Sequence, residues 1–361
     1  MKRKTISMLL ACAMMLSLAA CGNTQKPSTS SASNAGGTSG TTSDPEFTLI
    51  VGSTIQDDSA SGIALIEYFK PYVEENSNGR IRVDVQNNSV LGGDRELFEA
   101  LQLNTVQCSF GPMSTLANFE PNYAVCDLPF LFSSKEDAYE QLDGEFGAKL
   151  AENLPNVGMR LLAYGENAFR NISNKVRPIT SLADMKNMKI RVMESPVNIA
   201  TYDALGVSPT PMAFSELYTG LSQGVVEGQD NGVVLTYTAK LYEVQPYYTY
   251  TGHIYAANAM VFSEAFWQSL PADLQKVVED GSKYAMENQR RLNTEMEEEL
   301  EATMAEAGVE FIHPDAAMVE EMREATKSVW ELEDIKNMID PEIYEMAVQI
   351  RDNKRNISEI T

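Results

Sequence analysis

One arginine lies in a short segment, K-N-M-K-I-R-V-M-E-S-P, whose side chains alternate as they do in a β-strand. Ile190 and Val192 fall on one side of this predicted strand, and Arg191 falls on the other. Ligands of open parallel sheets gather beyond the carboxyl ends of the strands. A guanidinium there can hold a carboxylate through two parallel, charge-assisted hydrogen bonds, so Arg191 is a candidate carboxylate-binding residue. The alternative is a surface arginine paired with Asp184 or Glu194.

The other residue types that could carry chemistry form no catalytic or metal-binding pattern. His253 and His313 are the only histidines, and neither belongs to an H-E-x-x-H motif or to a C-x-x-C cluster. The sequence has no P-loop and no G-x-G-x-x-G fingerprint. Its 51 Asp and Glu residues are typical of solvated faces, and no pair is singled out for hydrolysis. We therefore predict no enzymatic activity, no cofactor and no metal.

The N-terminus has the layout of a bacterial secretion signal. Basic residues at positions 2–4 precede an apolar run, 6–18, that is too short to span a membrane stably. The following L-A-A-C resembles a lipobox, in which Cys21 becomes the lipidated first residue of the mature protein; the alternative is an ordinary small-residue cleavage site. We predict a signal peptide over 1–20, then a lipid-anchored flexible linker over 21–45, rich in Ser, Thr, Gly and Asn. This arrangement predicts an extracytoplasmic protein that is anchored to the cell membrane.

Charge restricts the partners of the chain. The formal net charge of the 361 residues is −23, and it becomes −26 without residues 1–20, which carry three basic residues and no acidic ones. Such a surface is a poor partner for nucleic acid. It would also repel a small anion on average, so a site for one needs a local cluster of arginines and backbone donors.

Strands alternate with helices from Glu46 onward, which implies a largely parallel sheet covered on both faces. The first series is F-T-L-I-V-G-S, a helix over Ser61–Glu75, R-I-R-V-D-V-Q, a helix over Arg95–Leu103, and V-Q-C-S-F. Pro71 predicts a kink in the first helix. A second series begins near Met159 and includes K-I-R-V. About 315 residues exceed one comfortable core, so two lobes are expected.

A long helix is predicted between Pro271 and Gly308, because apolar residues recur there at intervals of three and four. Unbroken, it would be about 50 Å long at 1.5 Å per residue, longer than a domain of about 150 residues is wide. Such a helix should brace both lobes. Gly281 could instead divide it into two ordinary helices.

Several segments resemble one transport family, the DctP family of substrate-binding proteins of tripartite ATP-independent periplasmic (TRAP) transporters. They are L-G-G-D-R-E-L-F-E-A-L-Q at 91–102, L-P-F-L-F at 128–132, F-R-N-I-S-N at 169–174, P-T-P-M-A-F-S-E-L-Y-T-G-L-S-Q-G-V-V-E-G-Q-D-N at 209–231 and L-Y-E-V-Q at 241–245. The resemblance runs from about Phe47 to about Ala307. It implies an α/β, two-lobed, periplasmic-binding-protein-like fold with a ligand cleft between the lobes. With the long helix, it places lobe I at 46–165 plus about 256–290, and lobe II at 166–255 plus about 291–361.

The resemblance also implies roles for individual residues. Arg191 matches the strand arginine that grips the carboxylate of the solute, and Arg170 matches a second basic contact. Asn231 matches a polar arm to the same carboxylate, and Phe214 matches an aromatic that packs over the apolar face of the ligand. Considered alone, Arg170 could tie the lobes together, Asn231 could serve as a turn residue, and Phe214 could belong to the core.

Contacts from lobe I are less defined. The family adds them from the loop after strand one, here around Asp58, and from the end of strand three, here G-P-M-S. The His-Pro pair that many members carry in the first of these loops is missing. Pro112 and Met113 predict an apolar wall. Asp58 and Asp94 would suit hydroxyl groups better than a second carboxylate, which their charge would repel, so the pattern favours a hydroxylated monocarboxylate such as a uronate.

The predicted function is therefore capture of a small organic acid, a sugar acid or another carboxylate. The resemblance implies that the solute is delivered to the small and large membrane subunits of a sodium-driven TRAP permease. A surface sensor that presents the solute to a signalling receptor would use the same cleft and is the main alternative. A secreted hydrolase of acidic sugars is a third hypothesis, which the missing catalytic constellations disfavour.

Overall fold

The computed structural model describes residues 44–358. The predicted signal peptide and the proposed lipid-attachment site at Cys21 lie outside the described residues, as does the predicted linker up to residue 43. Among the described helices, none combines the length and the hydropathy that crossing a bilayer requires.

The strands of residues 44–358 form two separate sheets. They are β1 (Phe47–Ser53), β2 (Ile81–Gln86), β3 (Cys108–Pro112), β4 (Met159–Phe169), β5 (Asn171–Asn174), β6 (Lys189–Val192), β7 (Ser208–Pro211), β8 (Gly228–Asn231), β9 (Tyr247–Thr249), β10 (Tyr255–Ser263) and β11 (Glu310–Ile312).

Helices pack on both sheets. They are α1 (Ala60–Ile63), α2 (Lys70–Asn76), α3 (Asp94–Gln102), α4 (Met113–Leu116), α5 (Lys135–Asp143), α6 (Glu145–Ala151), α7 (Leu182–Met185), α8 (Pro196–Ala204), α9 (Phe214–Gln223), α10 (Val233–Thr238), α11 (Glu264–Ser269), α12 (Ala272–Glu306), α13 (Ala316–Trp330), α14 (Glu333–Lys336) and α15 (Pro341–Ser358). A π-helical segment covers Ala64–Phe69, and 3-10 segments cover Pro121–Asp127, Leu154–Val157 and Leu241–Val244.

The first sheet has the strand order β2-β1-β3-β10-β4. β1 is parallel to β2 and β3, as the alternation of strands and helices predicts. β10, however, is antiparallel to both β3 and β4, so the sheet is mixed. The reason is that β4 carries the chain toward the second sheet while β10 brings it back, and these two strands lie side by side.

The second sheet has the order β11-β9-β5-β8-β6-β7 and is also mixed. β6 is parallel to β7 and β8, whereas β5 is antiparallel to β8 and β9. Only Arg170 separates the end of β4 from the start of β5, and residues 250–254 separate β9 from β10. The chain therefore passes between the sheets at two neighbouring short crossings, with Arg170 in one of them, and a third time through α12.

The predicted kink at Pro71 takes the form of a change in helix type. α1 runs into the π-helical segment, and α2 follows without a break. The N–H of Lys70 bonds to the carbonyl oxygen of Leu65, five residues earlier. Because proline has no N–H to donate, a widened turn directly before Pro71 accommodates it within a helix.

Helix α12 is continuous over 35 residues and spans about 50 Å. Leu274 and Val278 near its start pack into the core of the first sheet. Met304 near its end packs with Tyr248 of the second sheet. The helix therefore braces both lobes, as predicted.

Gly281 does not divide α12. A Cβ atom at this position would lie 2.9 Å from Cγ2 of Val73 and 3.0 Å from Cδ1 of Tyr72. These distances are shorter than normal van der Waals contacts, so the glycine allows α12 and α2 to approach closely.

The C-terminal helices contact both sheets. Met322 of α13 packs in the same cluster as Ile190 and Val192 of β6. Trp330 and Ile343 instead belong to the cluster of α3 and the 3-10 segment 121–127. Residues beyond about 330 thus pack beside the first sheet, although the sequence assigned 291–361 to lobe II. The lobe boundaries stay a prediction.

Candidate functional site

A small cavity of about 30 Å³ lies where the carboxyl ends of strands from both sheets meet. From the first sheet it is lined by Thr54, which follows β1, and by Pro112 at the end of β3. From the second it is lined by Met193, which follows β6, and by Asn231 at the end of β8. A wider groove of about 480 Å³ shares Asp94, Met193 and Phe214 with the cavity and also contains Arg191. This is the location that the fold class predicts for a ligand.

Arg191 lies on β6 and is almost completely buried, with 1% of its surface exposed. Its Nε donates to the carbonyl oxygen of Met212 at 2.9 Å, and its Nη1 contacts Sδ of Met193 at 3.6 Å. In the described part of the chain Arg191 forms no ion pair, either with Asp184 or Glu194 or with any other carboxylate. The two hydrogen bonds orient the side chain, and the Nη2 amino group has no acceptor among residues 44–358.

The electrostatic surroundings of Arg191 make it receptive to an anion. Burial lowers the pKa of Arg191 to about 10, and the nearby charge of Arg170 contributes to this shift. Asp230 and Asp94 oppose the shift without bonding to the guanidinium. The side chain remains protonated at neutral pH, so the site holds a buried positive charge without a directly paired carboxylate among residues 44–358.

Arg170 is also buried, but its charge is already paired. Its Nε donates to Oδ2 of Asp230 and its Nη2 donates to Oδ1, both at 2.7 Å, and Nη2 also reaches the carbonyl oxygen of Asp230 at 2.5 Å. Burial by itself would raise the pKa of Asp230, but the charge and hydrogen bonds of Arg170 outweigh it and hold that pKa well below its usual range. His253 Nε2 lies 3.4 Å from the same carboxylate. Arg170 therefore links the crossing between the sheets to β8. Its role as a second solute contact stays a prediction, and the solute would have to bind the Nη1 amino group.

Asn231 and Phe214 both line the cavity. The Nδ2 of Asn231 donates to Oε1 of Gln229 at 2.6 Å, and its Oδ1 accepts from Asn167 at 3.4 Å. The hydroxyl of Tyr248 donates to its carbonyl oxygen at 2.9 Å. Phe214 is the first residue of α9, half-buried, and lies between the cavity and the groove of Arg191. These positions are compatible with the polar and the apolar contact that the family resemblance implies.

Asp94 is the lobe I acid that borders both the cavity and the groove of Arg191. It is the first residue of α3, and its Oδ1 accepts a hydrogen bond from Thr54 at 2.9 Å. Burial raises the pKa of Asp94 to about 6, although Thr54 and the charge of Arg191 act in the opposite direction. Asp94 thus changes charge within an accessible pH range, next to the guanidinium.

This geometry predicts that solute affinity rises as the pH falls from about 8 to about 5.5. A carboxylate bound at Arg191 adds a negative charge beside Asp94, which raises the pKa of Asp94 further, so binding takes up a proton. The gain is at most about tenfold per pH unit. Calorimetry in buffers of different ionisation enthalpy measures both the affinity and the proton uptake.

The Asp94→Asn variant should lose this pH dependence. Asp58→Asn is the matched control, because Asp58 is an exposed carboxylate of the neighbouring loop, outside the cavity lining. The control should keep the slope of the wild type. An unchanged slope in Asp94→Asn would contradict the assignment of the titrating group.

Two predicted lobe I contacts lie away from the cavity. Asp58 sits in the exposed turn before Ser59, which caps α1. Met113 is 1% exposed and belongs to the core cluster of Leu97 and Leu116, because the chain turns from β3 into α4 at this residue. Of the predicted apolar wall, Pro112 lines the cavity.

Other cavity residues were not singled out by the sequence. Thr54 binds Asp94, as described above. Asn167 lies at an irregularity of β4, where Ala256 pairs with Ala168 but Ala257 pairs with Glu166, so Asn167 has no partner in the ladder. Such a bulge re-aims a side chain, here into the cavity. Asn258 of β10 also lines the cavity. The only local signal for it is a single amide within the apolar run A-A-N-A-M-V-F.

The segment after β6 is tied to the first lobe. Ser195 caps α8 and donates to Oδ2 of the buried Asp127 at 2.7 Å, while Ser114 donates to the other oxygen of the same carboxylate. The Nδ2 of Asn118 donates to the carbonyl oxygen of Glu194 at 3.3 Å. These bonds hold the two lobes against each other beside Arg191.

Comparison with known proteins agrees with this architecture. The family model of bacterial extracellular solute-binding proteins, family 7 (DctP), matches residues 51–336. A solute-binding protein of Verminephrobacter eiseniae is 37% identical over 249 residues, which cover 69% of this chain and 74% of the relative. The 2,3-diketo-L-gulonate-binding periplasmic protein YiaO of Escherichia coli is 31% identical over 244 residues, covering 68% of this chain and 74% of the relative.

A solved structure is similar over nearly its full length. The sugar acid binding protein DctPAm of Advenella mimigardefordensis, in complex with galactonate, has a TM-score of 0.82 and 31% identity, and the match covers 86% of this chain and 99% of that chain. The predicted α/β fold with two lobes is confirmed. The chain therefore belongs to the DctP family of TRAP-transporter substrate-binding proteins, an extracytoplasmic family that binds small organic acids for membrane permeases and serves transport rather than catalysis.

Proposed function

We propose that this protein captures a hydroxylated monocarboxylate, such as a uronate or an aldonate, and delivers it to a TRAP permease. The observation that carries the proposal is the buried guanidinium of Arg191, which faces the groove between the lobes without an ion pair among residues 44–358. A buried charge without a counter-ion is costly, and a solute carboxylate would compensate it.

The remaining cleft residues support a solute with hydroxyl groups and one carboxylate. Asp94, Thr54 and Asn231 offer hydrogen bonds, while Phe214 and Met193 offer apolar contact. A second carboxylate near Asp94 would be repelled whenever Asp94 is ionised. Two of the similar proteins are named for sugar acids, 2,3-diketo-L-gulonate and galactonate, and these are the class we infer for this chain.

The mechanism we infer is closure of the two lobes around the solute. In an open form the carboxylate would reach Arg191, and the lobes would then close and exclude water, which strengthens the ion pair. The contacts between Asp127 and Ser195 and between Asn118 and Glu194 are the bonds that closure would form. The permease would receive the solute from this closed form. We also propose that the mature protein is tethered to the membrane through a lipid on Cys21, which lies outside the described residues.

A thermal-shift screen tests the proposal. The panel contains uronates, aldonates, C4-dicarboxylates and keto acids. A hydroxylated monocarboxylate present at about 100 times its Kd should add about 2.7 kcal/mol to the free energy of unfolding, which raises the melting temperature by several degrees. A larger shift with succinate than with any hydroxylated monocarboxylate would contradict the proposed solute class. No shift with any acid would contradict acid binding altogether.

A further inference from the structure

Asn258 is a buried amide that lines the cavity and has no hydrogen-bond partner among residues 44–358. It is 6% exposed and lines the cavity together with Thr54 and Asp94. Across the described residues its side chain makes no hydrogen bond, whereas the amides of Asn167 and Asn231 bond to each other. Both its amide group and its carbonyl oxygen are therefore available on the cavity side.

The surroundings of Asn258 make a structural role an unsatisfactory explanation. It lies in the middle of β10, where all nine residues are buried, between Ala257 and Ala259. Its backbone pairs with Pro112 on one side and with Gly165 on the other, which any residue type could do. The fold gains no hydrogen bond from this side chain, which makes none with residues 44–358 and borders the cavity. The amide is therefore better explained by a group that enters the cavity.

The chemistry of that group follows from the neighbours. Asp94 is the ionisable residue among those that line the cavity, and its charge disfavours a second anion there. A primary amide donates through its nitrogen and accepts through its oxygen. A hydroxyl group does both as well, so it is the natural complement of Asn258 beside Thr54 and Asp94.

We propose that Asn258 is a solute-binding residue of lobe I, which hydrogen-bonds a hydroxyl group of the acid whose carboxylate is held by Arg191. It thereby selects hydroxylated acids over unsubstituted ones. This inference rests on the proposed function and adds a specificity residue to it.

The test uses the purified chain with D-galactonate and D-glucuronate as probes, and calorimetry measures each affinity. Asn258→Leu replaces the amide with an apolar side chain of similar size. The variant should bind the tighter of the two probes about 10- to 100-fold more weakly, because a buried hydroxyl of the solute loses its partner. Without ligand, its melting temperature should equal or exceed that of the wild type, since the amide that is replaced makes no hydrogen bond with residues 44–358. Asn258→Ala gives the same affinity test if the leucine variant does not fold.

Ser109→Ala is the matched control. Ser109 lies on the neighbouring strand β3, is fully buried, and its hydroxyl also has no hydrogen-bond partner in the described region, but it does not line the cavity. This variant should keep wild-type affinity.

Three outcomes would contradict the role of Asn258, and they show whether the proposed function fails with it. Wild-type affinity in Asn258→Leu would overturn the role of Asn258 while leaving the proposed function intact. A lower melting temperature of the unliganded variant, together with weaker binding, would assign Asn258 a structural role and also overturn the inference. A wild-type protein that binds neither probe would contradict the proposed solute class and the inference with it.

Discussion

Arg191→Ala is expected to weaken binding of the cognate acid by about 2–5 kcal/mol, which is roughly 30- to 5000-fold in Kd. Arg191 offers the solute a buried positive charge that no carboxylate of residues 44–358 neutralises. Without the guanidinium, the carboxylate of the solute would have to give up its hydration in the closed cleft and gain little in return. Isothermal calorimetry with the acid identified in the thermal-shift screen measures the loss.

Two further variants make this test specific. Arg191→Lys keeps the charge but cannot form two parallel hydrogen bonds, so an intermediate loss is expected. Arg95→Ala is the control, because Arg95 lines the same groove but is exposed and pairs with Glu99. It should change affinity by less than about 1 kcal/mol. The melting temperature of the unliganded Arg191→Ala protein is measured in parallel, so that a loss of structure is distinguished from a loss of the contact with the solute. Wild-type affinity in Arg191→Ala would contradict the central assignment.

Arg170→Ala should act mainly on stability, with a loss of about 3–5 kcal/mol in the free energy of unfolding. Arg170 and Asp230 are 2% and 0% exposed and are joined by two parallel hydrogen bonds. Removing the arginine leaves the carboxylate of Asp230 buried and without its two charge-assisted hydrogen bonds. Urea unfolding of the unliganded protein measures the effect.

The Arg160–Glu264 pair provides a control with the same geometry. Its two hydrogen bonds measure 2.7 and 2.8 Å, but the side chain of Arg160 is 30% exposed. Arg160→Ala should therefore cost only about 1 kcal/mol. The double variant Arg170→Met with Asp230→Asn should recover part of the lost stability, because no uncompensated charge remains. Equal losses for Arg170→Ala and Arg160→Ala would show that burial of the Arg170 pair does not matter.

Local patterns in the sequence were sufficient where one face of an element is apolar. β6 was predictable because Ile190 and Val192 alternate with Arg191, and the structure places the two apolar residues in one core cluster. Helix α12 was predictable from its intervals of three and four. The local sequence does not show whether Gly281 divides the helix, because the role of this glycine depends on Val73, about 200 residues earlier in the chain.

Long-range pairing explains what the sequence could not predict. The sequence does not predict β10, because its residues are mostly apolar and show no alternation, and its antiparallel direction depends on the second crossing between the sheets. The family resemblance places Arg170 at the site, but its partner Asp230 lies 60 residues away, and the local sequence does not indicate this ion pair. The inward turn of Asn167 depends on a bulge that forms only when β4 pairs with β10.

Helix α12 couples the unfolding of the two halves of the molecule. It is one hydrogen-bonded rod whose start is anchored in one core and whose end is anchored in the other. Unfolding of either core would unravel part of α12. This would expose apolar residues of the helix that pack in the other core. The two halves should therefore lose their structure together, so a small molecule bound between them would protect both against heat and proteases.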